Sequence, residues 1–216
     1  MTIDIGKSFT HMFDDESWIM KIVIGGILAF IPIVNFVVLG YMVEALKRAA
    51  DGMDVALPEW DDFGGKFVKG LMLFIIVLVY AIPMILLVCC VGILIPVLAG
   101  GDSSAIADTA VLVNLCVNCL SLVWGILMWL VLPAVAIRFA VTGEFMSAFQ
   151  FGEIFSFITA NLANYIVALI LVLVANFIAS FGIIACFVGV LFTNFWSYLV
   201  TAHLLGQVQR ESLAVA

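Results

Sequence analysis

Charge is what this sequence has least of. Eight lysines and arginines and fifteen aspartates and glutamates make up 11% of its 216 residues, less than half the roughly 25% of an average soluble protein. The shortage of cations, with a formal net charge of −7, excludes a nucleic-acid binder, which needs a basic face. It also removes the polybasic cluster that would clamp acidic lipid headgroups. No Ser/His/Asp set, glycine-rich phosphate loop or HExxH motif stands in the chain, so neither an enzyme nor a bound cofactor is expected. The five cysteines are odd in number and lie in apolar runs (Cys89, Cys90, Cys116, Cys119, Cys186), where they read as buried thiols rather than a disulfide framework. Before Trp18 only Lys7 offsets Asp4, Asp14, Asp15 and Glu16, and no small-residue cleavage signature follows, so a cleavable signal peptide is not expected.

Apolar sequence is abundant. A hydrophobic fraction of 66% and a mean hydropathy of +1.30 define an all-α integral membrane protein, with residues 1–216 forming one membrane domain. The runs are Ile19–Leu46, Leu71–Leu98, Ala110–Ala140 and Asn161–Leu205. At 1.5 Å per residue the last would reach roughly 67 Å, over twice a hydrocarbon core of about 30 Å, so it folds back within Gly182–Gly189. The second and third runs fit one span each, with Pro83 and Pro133 as kink points and the acidic GGDSSAIADT stretch, Gly100–Thr109, as an outside loop. The first run is too short for two spans and carries Pro32 at its middle. It is predicted to be re-entrant, beside four transmembrane helices, with a fifth span as the alternative.

Positive charge near span ends sets orientation. Lys7, Lys21, Lys47, Arg48, Lys66, Lys69, Arg138 and Arg210 all fall on the cytoplasmic side if the first run turns back, leaving both termini inside. A single span would put Lys7 and Lys21 outside.

Three segments pair aromatics with charge. In LPEWDDFGGKFVKG, residues Leu57–Gly70, a helical projection gathers Trp60, Phe63 and Phe67 on one side and Glu59, Asp61, Asp62, Lys66 and Lys69 on the other. Pro58 and the following acids suit a helix start. The start of the chain repeats this with Phe9 and Phe13, and a third copy has Phe145 and Phe149. Each reads as a short amphipathic helix lying in the interface, anchored by those aromatics, ahead of a hydrophobic hairpin. Proposed repeat units are 3–50, 57–142 and 143–210, with Tyr-x-Val-x-Ala echoed at Tyr41–Ala45 and Tyr198–Ala202.

Glu59, Asp61 and Asp62 lack calcium-loop spacing and are explained by a polar helix face, so no metal is expected. Cys116-Val-Asn-Cys119 has redox spacing but no second pair. Asn114, Asn118 and Ser121 form a polar stripe along the third run, either a helix-packing face or the wall of a path for a neutral or lipidic solute. Glu44, Arg138 and His203 sit near span ends and Asp108 at an outside boundary, which leaves no carboxylate in mid-membrane for proton coupling.

The segments DIGKSFTHMFDDESW, LPEWDDFGGKFVKGL with its following VYAIP, RFAVTGEFMSAFQFGEIF and AHLLGQ together resemble domain-of-unknown-function family 4013. The resemblance implies a multi-pass protein of a prokaryotic cytoplasmic membrane and supplies no activity. From the residues, the expected role is a non-enzymatic oligomeric scaffold, membrane-shaping protein or accessory subunit, whose partners are the lipid bilayer, further copies of itself and other membrane proteins. The alternative is a carrier or channel for a neutral or lipidic solute.

Overall fold

A computed structural model describes residues 3–53, 57–98 and 103–215. It is helical, with no strand among the described residues. The helices are α1 (Ile5–Thr10), α2 (Trp18–Phe30), α3 (Asn35–Ala50), α4 (Phe63–Leu98), α5 (Ser103–Thr142), α6 (Phe151–Ala160), α7 (Leu162–Ser180) and α8 (Cys186–Val215), with tighter turns at His11–Asp14, Phe145–Phe149 and Phe181–Ala185.

The chain divides into two compact units. One comprises Met1–Phe74 with Pro133–Ala216, the other Ile75–Leu132. Within the first, α8 is the central element and α2, α3 and α7 all pack on it. Small residues set the spacing. A Cβ on Gly25 would lie 2.4 Å from the Phe195 ring, and one on Gly206 would lie 2.4 Å from Ala49 Cβ. The α3–α4 crossing is tighter still, because a Cβ on Gly40 would meet Lys66 O, and one on Gly70 would meet Phe36 O, each at 1.8 Å. Main chain touches main chain there, which only glycine allows.

The first apolar run is broken at the expected place. Ile31, which precedes Pro32, is extended and caps α2, as the clash between a proline ring and the preceding residue dictates. Ile33 then takes a positive φ of 73°, and α3 starts at Asn35. The result is two helices of 13 and 16 residues, not one continuous helix. The last run folds back through the turn at Phe181–Ala185, where Thr193 Oγ1 donates to Ala179 O at 2.7 Å.

Three helices among the described residues are long and apolar enough to cross a membrane, Phe63–Leu94, Val111–Thr142 and Leu162–Ile184. The remaining helix, α8, is diluted by Asn194, Ser197, His203 and Gln207. The stretch Gly100–Thr109 is not a loop throughout: its first three residues lie outside the described residues, and α5 begins at Ser103. An acidic stretch without lysine or arginine suggests an outside loop, but Ser103, Ser104, Ala105 and Ile106 are compatible with a helix start. Pro133 sits inside α5. Residues 57–62 are not helical and α4 starts at Phe63, so Pro58 does not open a helix as its sequence context suggested.

Candidate functional site

The charged loop that looked like a solvated helix face is instead a lid over two buried lysines. Lys21 of α2 is 2% exposed. Its ammonium donates to Asp15 Oδ2 at 2.8 Å, Glu59 Oε1 at 2.6 Å and the Leu57 carbonyl at 3.1 Å. Three donors thus meet three acceptors, the condition for keeping an ammonium out of water. Asp15 is equally saturated, taking the Ser17 N–H at 2.8 Å, the Ser17 hydroxyl at 2.7 Å and the Leu57 N–H at 3.1 Å. Burial alone would raise its carboxyl, but the hydrogen bonds and charge of Lys21 and the bonds from Ser17 outweigh it and hold the group at about 2.

Lys66, in the first turns of α4, was expected in water and is 1% exposed. The close α3–α4 crossing presses it onto α3, where it meets Glu44 Oε2 at 3.2 Å and Asp61 Oδ1 at 3.0 Å. The Lys66 hydrogen bond also lowers the Asp61 carboxyl. Glu44 further pairs with Arg48 at 3.4 Å and Lys69 at 3.9 Å. The fourteen-residue stretch is therefore charged because two lysines at helix crossings need counter-ions.

Trp60 closes the lid. Its Nε1 donates to Lys21 O at 3.1 Å, and its ring stacks on Tyr41 at 4.2 Å with Phe195 at 5.9 Å. Tyr41 in turn donates to Pro58 O at 2.7 Å. Of the residues nominated as interface anchors, Trp60 is half-buried against protein, Phe63 is exposed, and Phe67 is half-buried 5.8 Å from Phe36. Phe9 is half-buried against Trp196 at 5.9 Å, while Phe13 is exposed and meets Trp18 edge-on at 4.8 Å. Phe145 and Phe149 are half-buried with their centroids 5.4 Å apart; close by in sequence, the Arg138 guanidinium donates to Gln150 and Glu153.

The N-terminal segment also carries a polar inner face that sequence reading missed. Ser8, His11, His203 and Gln207 are buried. Asp4 N donates to Gln207 Oε1 at 2.8 Å, and Gln207 Nε2 donates to Ser8 Oγ at 2.9 Å and Asp4 O at 3.2 Å. The His11 and His203 rings stack at 4.2 Å. The signal lay in spacing: His203 and Gln207 are four apart on α8, and Ser8 and His11 three apart, so each pair shares a face.

The predicted stripe on α5 does not converge. Asn114 and Asn118 are exposed, and Asn118 Nδ2 donates to Asn114 O at 2.8 Å. Ser121 turns toward α4, donating to Val117 O at 2.7 Å and standing 3.9 Å from the Met84 sulfur. Cys89, Cys90, Cys116 and Cys119 are exposed free thiols. No group of three metal-ligating side chains occurs among the described residues.

Long apolar helices with little buried surface, joined to a charge-saturated bundle, define a membrane-embedded helical protein. The family model described as a protein of unknown function (DUF4013) matches residues 24–188, more than half of the chain, and the protein belongs to that family. The lid and the Phe145–Phe149 segment fall inside the matched region. The Ser8 and Gln207 ends of the N-terminal network fall outside it. Neither a curated protein nor a solved structure matches the chain.

Proposed function

We propose that the protein is a non-enzymatic scaffold or accessory subunit of a prokaryotic cytoplasmic membrane, working as a homo-oligomer joined through α5. The observation that carries this reading is the amide pair Asn114 and Asn118, exposed on a stretch of helix whose other exposed residues are apolar side chains such as Val111, Leu112, Leu115 and Leu122 and the thiols Cys116 and Cys119. Facing acyl chains, this pair finds partners only within its own helix, where Asn118 Nδ2 donates to Asn114 O, whereas the same face of a second copy would supply further donors and acceptors. A non-enzymatic role is supported by the titratable groups themselves: Lys21 and Asp15 satisfy each other and the lid, which leaves no activated nucleophile or base between them. In this reading α2 and α3 form a re-entrant hairpin and α8 a fourth span. Both termini are then cytoplasmic, with the three aromatic segments on that leaflet.

Native mass spectrometry of the protein released gently from its membrane tests the reading. Wild type is expected as a discrete homo-oligomer and Asn114→Leu/Asn118→Leu as a monomer with unchanged helicity. A monomeric wild type, or an oligomer indifferent to the double substitution, overturns it.

A further inference from the structure

The clasp that holds the N-terminal segment on α8 contains a histidine whose protonation state is dictated by its neighbours. Asp4 offers Gln207 both of its main-chain groups: the N–H donates to Gln207 Oε1 at 2.8 Å, and the carbonyl accepts from Gln207 Nε2 at 3.2 Å. An N–H can only donate and a carbonyl can only accept, so the amide has one orientation. Its nitrogen therefore faces His203 Nδ1, 3.0 Å away. Because an amide nitrogen only donates, Nδ1 must present a lone pair, and His203 is neutral with its proton on Nε2. His11, stacked on it at 4.2 Å, takes the other tautomer, since its Nδ1 lies 3.1 Å from the Ser8 carbonyl.

Protonating His203 turns that acceptor into a donor aimed at the Gln207 amide nitrogen. Flipping the amide is no escape, because it sets nitrogen against the Asp4 N–H and oxygen against the Asp4 carbonyl. Ser8 Oγ, 3.2 Å from Nδ1, already accepts from Gln207 and donates to Asp4 O at 2.9 Å. The surroundings also oppose a positive charge. Both rings line a gap of about 10 Å³, room for about one water molecule. Among its described lining residues the charged one is Arg48 of α3, which pairs with Glu44 at 3.4 Å. Other ionisable groups on the packed elements are committed or turned away. The Asp4 carboxylate accepts the Lys7 N–H at 2.9 Å, Asp15 holds Lys21 of α2 at 2.8 Å, and Asp14, Lys47 and Asp51 are exposed. Arg210 and Glu211, of opposite sign, follow about two turns farther along α8, and α7 carries no charged residue.

We propose that this clasp is a pH-sensitive latch: with His203 neutral it holds residues 4–14 on α8, and protonation of His203 releases them. None of its residues lies in the three apolar spans. Once the segment leaves, His203 meets water and takes up a proton in the ordinary histidine range, about pH 6.5. The open form thus binds a proton for which the closed clasp has no place, so falling pH drives opening. Opening uncovers Ile3 and Met12, which the closed form buries. The latch is independent of self-association through α5, since neither Asn114 nor Asn118 takes part in it.

Hydrogen–deuterium exchange of the full-length protein in phosphatidylcholine nanodiscs reads the latch directly, with rates corrected for the intrinsic effect of pH. Between about pH 6.5 and about pH 5.5, protection of the peptide covering residues 3–13 should fall about tenfold, the limit for one proton over one pH unit, while α3 keeps its protection. His203→Phe retains a ring to stack on His11 and cannot titrate, so its protection should be the same at both pH values. His203→Gln, whose amide oxygen can accept from Gln207, replaces it if that variant fails to fold. His11→Phe leaves His203 in place and should keep the fall. Wild-type protection that does not change over this interval overturns the proposal. So does a fall that persists without His203, or one that His11→Phe abolishes, because the proton is then taken up elsewhere.

Discussion

The two units solve the problem of polar groups in opposite ways. In the unit formed by Met1–Phe74 and Pro133–Ala216, ten polar or charged residues are buried, among them Lys21, Lys66, His203 and Gln207. The network partners described for these come from the same unit. In Ile75–Leu132, only Ile76 and Tyr80 are buried among the described side chains, and the amides of Asn114 and Asn118 face outward. The closest main-chain contacts at glycine also fall in the first unit, although its Gly143 and Gly152 are as open as the glycines of the second. Gly40 and Gly70 are in main-chain contact with a neighbouring helix, while Gly92 and Gly125 have nothing within 4 Å. The first unit is a protein core with lipid around it; the second is a hairpin whose surroundings are left to lipid or another copy.

The sharpest way to break this comparison is to remove a polar group from each side. Lys21→Met leaves Asp15 buried without its ammonium, and the loss of one partner of a buried pair costs about 3–5 kcal/mol. Steric trapping in micelles should register it, and Asp15→Leu added to Lys21→Met should recover part of the loss. In the hairpin, Asn118→Leu should leave the stability of the monomer within about 0.5 kcal/mol. A Lys21→Met protein as stable as wild type would mean that the lid is not a structural element.

Glycine substitutions come next. Gly70→Val would put side-chain atoms into Phe36 O at the α3–α4 crossing, and overpacking of this kind costs about 3 kcal/mol or prevents folding. Thermal unfolding in detergent measures it. The lid then acts as a second reporter, because Lys66 owes its burial to the same crossing.

A pH titration has a smaller effect with a definite sign. The Asp15 carboxyl is held at about 2 in the folded protein, below its unfolded value of about 3.9. Its stabilisation, about 2 kcal/mol, is therefore complete above about pH 5 and is lost as the pH falls toward 2. Asp15→Asn should flatten that part of the stability curve, leaving whatever slope the exposed acids give.

The sequence reveals the membrane class, the break at Pro32 and the fold-back near Gly182 because each follows from one strong local rule, proline sterics or span length. It misleads where a local pattern has two tertiary outcomes. Alternating charge and aromatics in Leu57–Gly70 fit a helix floating in the interface and fit equally a loop that neutralises Lys21 and Lys66; nothing local says that Lys21, thirty-six residues from Leu57, will be waiting. His203 looked like an interface residue for the same reason, since its partner Ser8 lies 195 residues away in the chain. Asn114 and Asn118 were legible as a stripe, but which side of α5 the hairpin would cover depends on α4.

The smallest effect is the most discriminating between a bare hairpin and one that receives a second copy. Gly125 has nothing within 4 Å, so for an isolated chain Gly125→Ala should stabilise α5 by up to about 1 kcal/mol through backbone entropy alone. It stands seven residues after Asn118, on the same helical face. If a second α5 packs there, the added methyl group separates the backbones and weakens the oligomer even as it strengthens the monomer. Measuring both quantities on one variant, monomer unfolding by steric trapping and dissociation by dilution in micelles, should give changes of opposite sign. Two changes of the same sign would mean that the exposed face of α5 meets lipid alone.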